Sequence, residues 1–186
     1  DHKSSRGLGD VYKRQDQSKS QPNVLYAATG VAWVGGIQDI TGAGVYKSVD
    51  SGKNWINVSP RESNGYVLDE FNNVSRLLVD PTDPDIVIAS TTEDYFAQGH
   101  IWKTIDGGKN WTEVASASTR IQQVIAAPSD FNIQYAAVRG VGVLRSVDRG
   151  STWTNPGGIN LSGTIDYDSE DGILAGGGSG AFGRLE

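Results

Sequence analysis

The sequence predicts an all-β fold, a partial β-propeller of four-stranded antiparallel blades. Three observations predict it. One eight-residue pattern occurs three times along the chain. Apolar and polar residues alternate with period two in the stretch before each copy, which is the mark of a strand with two different faces. The Asp residues of successive copies lie 56 and 42 residues apart, near the ~40–45 residues of a four-stranded blade.

The pattern is [Ser/Thr]-x-Asp-x-Gly-x-x-Trp. Its copies are Ser48, Asp50, Gly52 and Trp55; then Thr104, Asp106, Gly108 and Trp111; then Ser146, Asp148, Gly150 and Trp153. The spacing has a physical reading. An Asp carboxylate accepts hydrogen bonds from backbone N–H groups just ahead of it and closes a turn. The Gly two places on takes positive φ without a Cβ penalty. The Ser or Thr hydroxyl bonds nearby backbone. The Trp is expected to fold back over the turn, covering roughly 150–250 Å². All four positions are therefore assigned structural work, since a carboxylate saturated by amide donors is a poor general base.

The strands follow in order around each turn. Gly44–Asp50, His100–Asp106 and Gly142–Asp148 repeat one another and read as the strand that enters the turn. Val24–Ala28, Ile86–Ala89 and Gln134–Val138 are short apolar runs and read as buried central strands. Val74–Val79 and Ile121–Ala126 precede them as first strands. Trp55–Val58, Trp111–Val114 and Trp153–Thr154 leave the turns as fourth strands. Leu161–Tyr167, Gly172–Ala175 and Ala181–Leu185 open one more repeat. The blades are expected at about 22–58, 73–115, 120–155 and 160–186, two complete and two partial, the first lacking its first strand. Asp80–Asp85 and Ala127–Asn132 read as Pro-set turns. No segment shows a helical period.

Composition narrows the function. There is no Cys, so no disulfide or thiolate metal site is possible. Gly reaches 24 of 186 residues and charged residues 20%, the profile of a turn-rich β protein. A net charge of −6 disfavours nonspecific attraction to nucleic acid or anionic lipid. No run approaches the ~18 apolar residues of a membrane span. There is no Met, and the chain is expected to be a piece of a longer protein, about half a ring, with further blades supplied by sequence outside it. Residues 1–15 show neither strand nor helix periodicity and are set aside as a non-native or disordered leader, leaving 16–186 as the propeller. Ser4–Gln15 resembles translated sequencing-adapter read-through.

The repeated turn resembles the Asp box, or bacterial neuraminidase repeat, of sialidases, oligoxyloglucan-hydrolase-type and xyloglucanase-type propellers, the sortilin ectodomain and photosystem assembly factors. Asp80–Ser90 and Ile101–Trp111 are most similar to the xyloglucanase-type group. The resemblance covers about residues 20–186. It implies that the turns lie on the face opposite the ligand face, and it implies a secreted or cell-surface protein.

The ligand face would then collect Thr29–Gly44, Thr91–Gly99 and Arg139–Val141 with Ser59–Asn73 and Ala115–Arg120. Binding candidates there are Trp33, Asp39, Arg61, Tyr66, Tyr95, Phe96 and Arg120, with Phe71 a further loop aromatic. Aromatic faces suit sugar rings, and hydrolysis of a glycosidic bond wants two carboxyl groups ~5–9.5 Å apart. The catalytic candidates are Glu62, Asp69, Glu70, Glu93 and Asp94. The arginine cluster that a sialidase resemblance implies does not assemble from Arg61, Arg76, Arg120, Arg139, Arg145 and Arg149. In xyloglucanase-type enzymes two catalytic aspartates come from two propeller domains, and this chain would hold at most one.

Other signals do not complete. Asp166–Gly172 starts like a calcium loop, but its Gly is one place late and position twelve is Gly177. His100 is the sole His outside the leader, so a His-based zinc site has no material. No metal or cofactor is expected. The expected partner is a polysaccharide or a surface protein, with neither nucleic acid nor membrane insertion. The leading reading is a glycan- or protein-binding scaffold. The alternatives are a glycoside hydrolase, with this chain alone inactive, and an assembly factor for a membrane complex.

Overall fold

The computed structural model describes residues 15–30, 41–93 and 97–155, and the backbone of 165–168, 172–176 and 182–185. Those residues form fourteen strands in four antiparallel sheets. The first sheet runs β1 (Gln15–Gln17), β2 (Leu25–Ala28), β3 (Val45–Ser48) and β4 (Ile56–Asn57). The second runs β5 (Asn73–Val79), β6 (Val87–Thr92), β7 (Gly99–Thr104) and β8 (Thr112–Ala117). The third holds β9 (Ile121–Ala127), β10 (Asp130–Val138) and β11 (Gly142–Ser146), and the fourth β12 (Ile165–Asp168), β13 (Gly172–Gly176) and β14 (Phe182–Leu185). Every strand pairs with the one before it in sequence within its sheet, so each sheet is a meander. The first strands of successive sheets lie side by side, β1 against β5, β5 against β9 and β9 against β12. This is the blade arrangement of a partial propeller.

Period two drives the stacking. In β6, Val87 and Ala89 join a core with Tyr26 and Val45 of the first sheet, while Ile88 between them joins Val124 and Ala136 of the third. In β5, Leu77 and Val79 point one way and Leu78 the other. Successive side chains of a strand emerge on opposite faces, so one apolar run serves two cores. That explains why β6 is buried at all six positions.

Two features differ from the sequence-based reading. The first blade is not short of its first strand, because Gln15–Gln17 supplies it, pairing Asp16 with Tyr26. The complete sheets are therefore the first and second, and Gln15, counted with the leader, is part of the fold. Gln-Asp-Gln has little strand propensity. It is held because Asp16 Oδ2 accepts the Val79 N–H at 2.7 Å, tying β1 to the second sheet. In the third sheet the fourth strand is reduced to one bridge, Arg145 with Thr154. Pro156 and two glycines follow, and a Pro cannot donate to a ladder.

The insertion between β4 and β5 holds a small hairpin, with Arg61 bridged to Val67, and then one turn of 3-10 helix, Asp69–Phe71. Phe71 was grouped with the ligand-face aromatics, but it is fully buried. Its ring meets Trp102 at 5.3 Å and Trp111 at 5.6 Å, in the core between the first two sheets.

Candidate functional site

The three turns share one geometry. Ser48 Oγ donates to Asp50 Oδ1 at 2.8 Å and accepts the Gly52 N–H at 2.9 Å. Asp50 also accepts the Asn54 N–H at 2.9 Å and the Asn54 side-chain amide at 2.7 Å. Thr104, Asp106, Gly108 and Asn110 repeat these bonds at the same lengths. Ser146, Asp148, Gly150 and Thr152 repeat them with a hydroxyl in place of the amide. The Asn54 backbone N–H, with the Asn54 and Ser48 side chains, holds the Asp50 carboxyl down at about 2. The Asn110 backbone N–H does the same for Asp106, and the Thr152 hydroxyl for Asp148, both to about 2. Such carboxylates are engaged as acceptors by donors of their own turns.

The residue between Asp and Gly was not foreseen. Ser51, Gly107 and Arg149 all have positive φ (61°, 73° and 60°), as do the glycines after them. Two successive left-handed residues make the tight turn whose twist matches a hairpin. The N–H thus turned outward donates to a carbonyl near the start of the second strand of the same repeat: Ser51 to Asn23, Gly107 to Asp85 and Arg149 to Asn132. One copy with Gly at this position was the available signal.

The tryptophans divide. Trp55 and Trp153 fold back as expected, donating Nε1–H to the carbonyls of Gly52 and Gly150. Trp111 instead donates to the Val58 carbonyl of the first sheet at 2.7 Å. The turn at Gly108 is pressed onto β4's end, where a Cβ on Gly108 would sit 2.8 Å from that of Val58. Trp111 is drawn between the sheets, against Phe71.

On the turn side, Arg149 pairs with the fully buried Asp80, which also accepts the N–H and hydroxyl of Thr82 at 2.8 and 2.7 Å. Burial pushes the Asp80 carboxyl up, but the Thr82 donors and the Arg149 guanidinium outweigh it, and the net shift is downward. Asp16, Arg76, Thr82, Asp130, Phe131 and Arg149 line a cavity of about 570 Å³ beside this pair. Its lining comes from three sheets, so no local sequence pattern announces it.

The opposite side carries the candidate ligand loops. Their bases are knitted together: the Gly42 N–H donates to Asn72, the Val74 N–H to Thr29, and the Asn73 side-chain amide to the Glu93 carbonyl. Glu62 sits in the hairpin, where its carboxylate accepts from Asn64 Nδ2 at 2.6 Å. Arg61 donates to the Gly65 carbonyl at 2.8 Å and stiffens the same hairpin. Tyr66, next to its tip and paired with Glu62, is 75% exposed. Asp69 and Glu70 stand in the first turn of the 3-10 helix, and Asp69 accepts from Asn72. Arg120 begins at the base of β9, its carbonyl accepting the Arg139 N–H. Trp33, Asp39, Asp94, Tyr95 and Phe96 lie outside the described residues. The arginines split between the two sides, with Arg76 and Arg149 at the turn-side cavity and Arg61 in the loop-side hairpin.

No family model matches the chain, and a search of curated proteins finds no match. Solved structures do match. An ancestral GH74 enzyme aligns with a TM-score of 0.60 at 18% identity, over 88% of this chain and 21% of its own. The GH74 xyloglucanase from Xanthomonas campestris aligns with a TM-score of 0.60 at 16% identity, over 92% of this chain and 26% of its own. PorZ, a bacterial surface component of the type-IX secretion system of Porphyromonas gingivalis, aligns with a TM-score of 0.50 at 18% identity, over 84% and 22%. The chain thus spans about a quarter or less of the length of these proteins. At such identity the likeness establishes the propeller fold and leaves activity to the site itself.

Proposed function

We propose that this chain is part of a secreted or cell-surface propeller of the Asp-box type, serving as a scaffold that binds a glycan or a protein through the loops opposite its three turns. The observation that carries this reading is the division of labour between the two sides. The turn carboxylates are filled by the protein's own donors. The loop side instead holds out Tyr66 on a hairpin braced by Arg61 and Asn64. An aromatic face on a stiff support is a low-entropy platform for the apolar face of a sugar ring or for a protein surface. Similarity to PorZ, a surface component, supports the location.

A second reading is a glycoside hydrolase, favoured by the likeness to two GH74 enzymes and by Glu62, Asp69, Glu70 and Glu93 on the same side. One experiment separates them. The full-length protein that contains this chain, and its Tyr66→Ala variant, are titrated against a panel of soluble polysaccharides, xyloglucan and other β-glucans included, with reducing ends measured in parallel. Binding that Tyr66→Ala weakens about tenfold, the scale of losing one stacked ring at ~1–1.5 kcal/mol, with no new reducing ends, supports the scaffold. Release of reducing ends moves the reading to the hydrolase. Unchanged binding in the variant removes Tyr66 from the site.

A further inference from the structure

The turn-side cavity is walled by three sheets. Its volume of about 570 Å³ is that of a small-molecule site, roughly 300–1,000 Å³. β1 gives it Asp16, β5 gives Leu78 and Val79, and β9 gives Ile125. These first strands stand side by side, with β5 between the other two. The cavity is therefore centred on the second sheet, and its walls are sheets of this chain. Sheets added before the first or after the third would stand beyond those walls.

The charges in the wall are unequally engaged. Both oxygens of Asp16 accept hydrogen bonds, from the N–H groups of Gln17 at 2.8 Å and Val79 at 2.7 Å. Both oxygens of Asp80 are engaged as well, one by Thr82 and the other by Arg149. Asp130 Oδ1 accepts the backbone and side-chain N–H groups of Asn132 at 2.9 and 2.7 Å. The cations are engaged less. Arg149 donates through Nη2, to Asp80 and Thr82. Its Nε and Nη1 groups hold no side-chain hydrogen bond among the described residues, and its side chain is 39% exposed. The Lys19 ammonium, in the turn after β1, has no acidic partner among the described residues. A wall whose acceptors are engaged while cationic donors remain favours an anion.

The backbone of Arg149 points the same way. Its φ is 60°, and the equivalent residues in the other turns are Ser51 and Gly107. A long side chain in the left-handed region is strained, and strain of this kind collects at ligand clamps. Here it sets the guanidinium across the joint between repeats, against Asp80 of the preceding one. The same wall carries Pro81, Pro128 and Phe131, an apolar surface beyond what a bare inorganic ion needs.

We propose that this cavity is a binding site for a small organic anion. Its carboxylate or phosphate head pairs with the Arg149 fork and the Lys19 ammonium, and its apolar body rests on Pro81, Pro128 and Phe131. The site lies on the side opposite the candidate ligand loops, so it does not rest on the role given to Tyr66.

The test is calorimetric titration of the full-length protein that contains this chain. Benzoate and phenyl phosphate are each compared with the bare head, acetate or inorganic phosphate. The expected result is saturable binding of at least one aromatic anion, several-fold tighter than its bare head. Which of the two binds tells a carboxylate ligand from a phosphate one. Arg149→Lys keeps the charge and loses the fork, and it should weaken binding about tenfold, the scale of one charge-assisted hydrogen bond. Lys19→Ala should weaken it several-fold. Lys53→Ala removes an equal charge from an exposed position on the first turn, outside the cavity, and should leave binding unchanged. Arg149 also pairs with a buried carboxylate, so its variant may fail to fold. Amine labelling of the unaltered protein then gives the second measurement, with the bound anion slowing the labelling of Lys19 several-fold and that of Lys53 not at all. No saturable binding of either aromatic anion overturns the proposal, as do bare heads that bind equally tightly. Binding that Lys19→Ala leaves unchanged, or that Lys53→Ala weakens as much, overturns it too.

Discussion

Asp50, Asp106 and Asp148 are only half-buried, yet all three are held at about 2. Hydrogen bonding to the charged form, rather than burial, causes the shift. Protonation removes an acceptor from each turn and releases the donors it gathers. The folded pKa lies below the ordinary value of 3.8, so the stabilisation is present above 3.8 and lost as pH falls through about 2. Asp16 runs the other way. Burial raises its carboxyl, against the Val79 and Gln17 N–H bonds and the Arg76 charge that lower it. Its contribution is therefore present below 3.8 and fades as pH rises through its folded value. Carboxyl-carbon NMR should show three Asp midpoints near 2 and one above the ordinary value. Asp148 titrating at its ordinary value would mean that the hydrogen bonds from Thr152 do not form in solution.

The turn as an element is legible from its spacing, but its surroundings are not. Gly52 and Gly108 occupy the same place, with φ of 84° and 90°. A Cβ on Gly52 would meet Leu25 no closer than 3.5 Å, whereas one on Gly108 would meet Val58 at 2.8 Å. Gly52→Ala should therefore cost only the left-handed strain, about 1–2 kcal/mol. Gly108→Ala should add overpacking of ~1–3 kcal/mol, and urea unfolding of the two variants measures the gap. Equal losses would show that the second turn is not pressed onto β4. The same distinction sets what could be read from the sequence. The core strands, their order and the three turns follow from period two and from Asp and Gly chemistry, which are local. The burial of Phe71, the reach of Trp111 to Val58 and the pairing of Gln15–Gln17 depend on a neighbouring sheet, and no local pattern encodes a neighbour. The loop-side carboxylates are legible as acidic residues on long connections, and the partners the structure gives two of them are local ones, Asn64 for Glu62 and Asn72 for Asp69.

At the scale of the whole chain, stability is carried by joints between sheets. A stacked array behaves as a row of units coupled to nearest neighbours, so a unit with two neighbours outlasts a unit with one. The second sheet meets one core on its first-sheet side and another on its third-sheet side. Its central strand β6 is buried at every position, while β4 is two residues long and β1 three. Local opening should follow that gradient. Native-state hydrogen exchange is expected to be slowest for the amides of β6 and for those of β5 and β7 paired with it. It should be fastest in β1 and β4, with β9 and β10 between, because they share the second core. Uniform protection across the first three sheets would contradict the gradient. It would mean that the joints are strong enough to make the array one cooperative unit, in which the cores around Tyr26 and Ile88 open together.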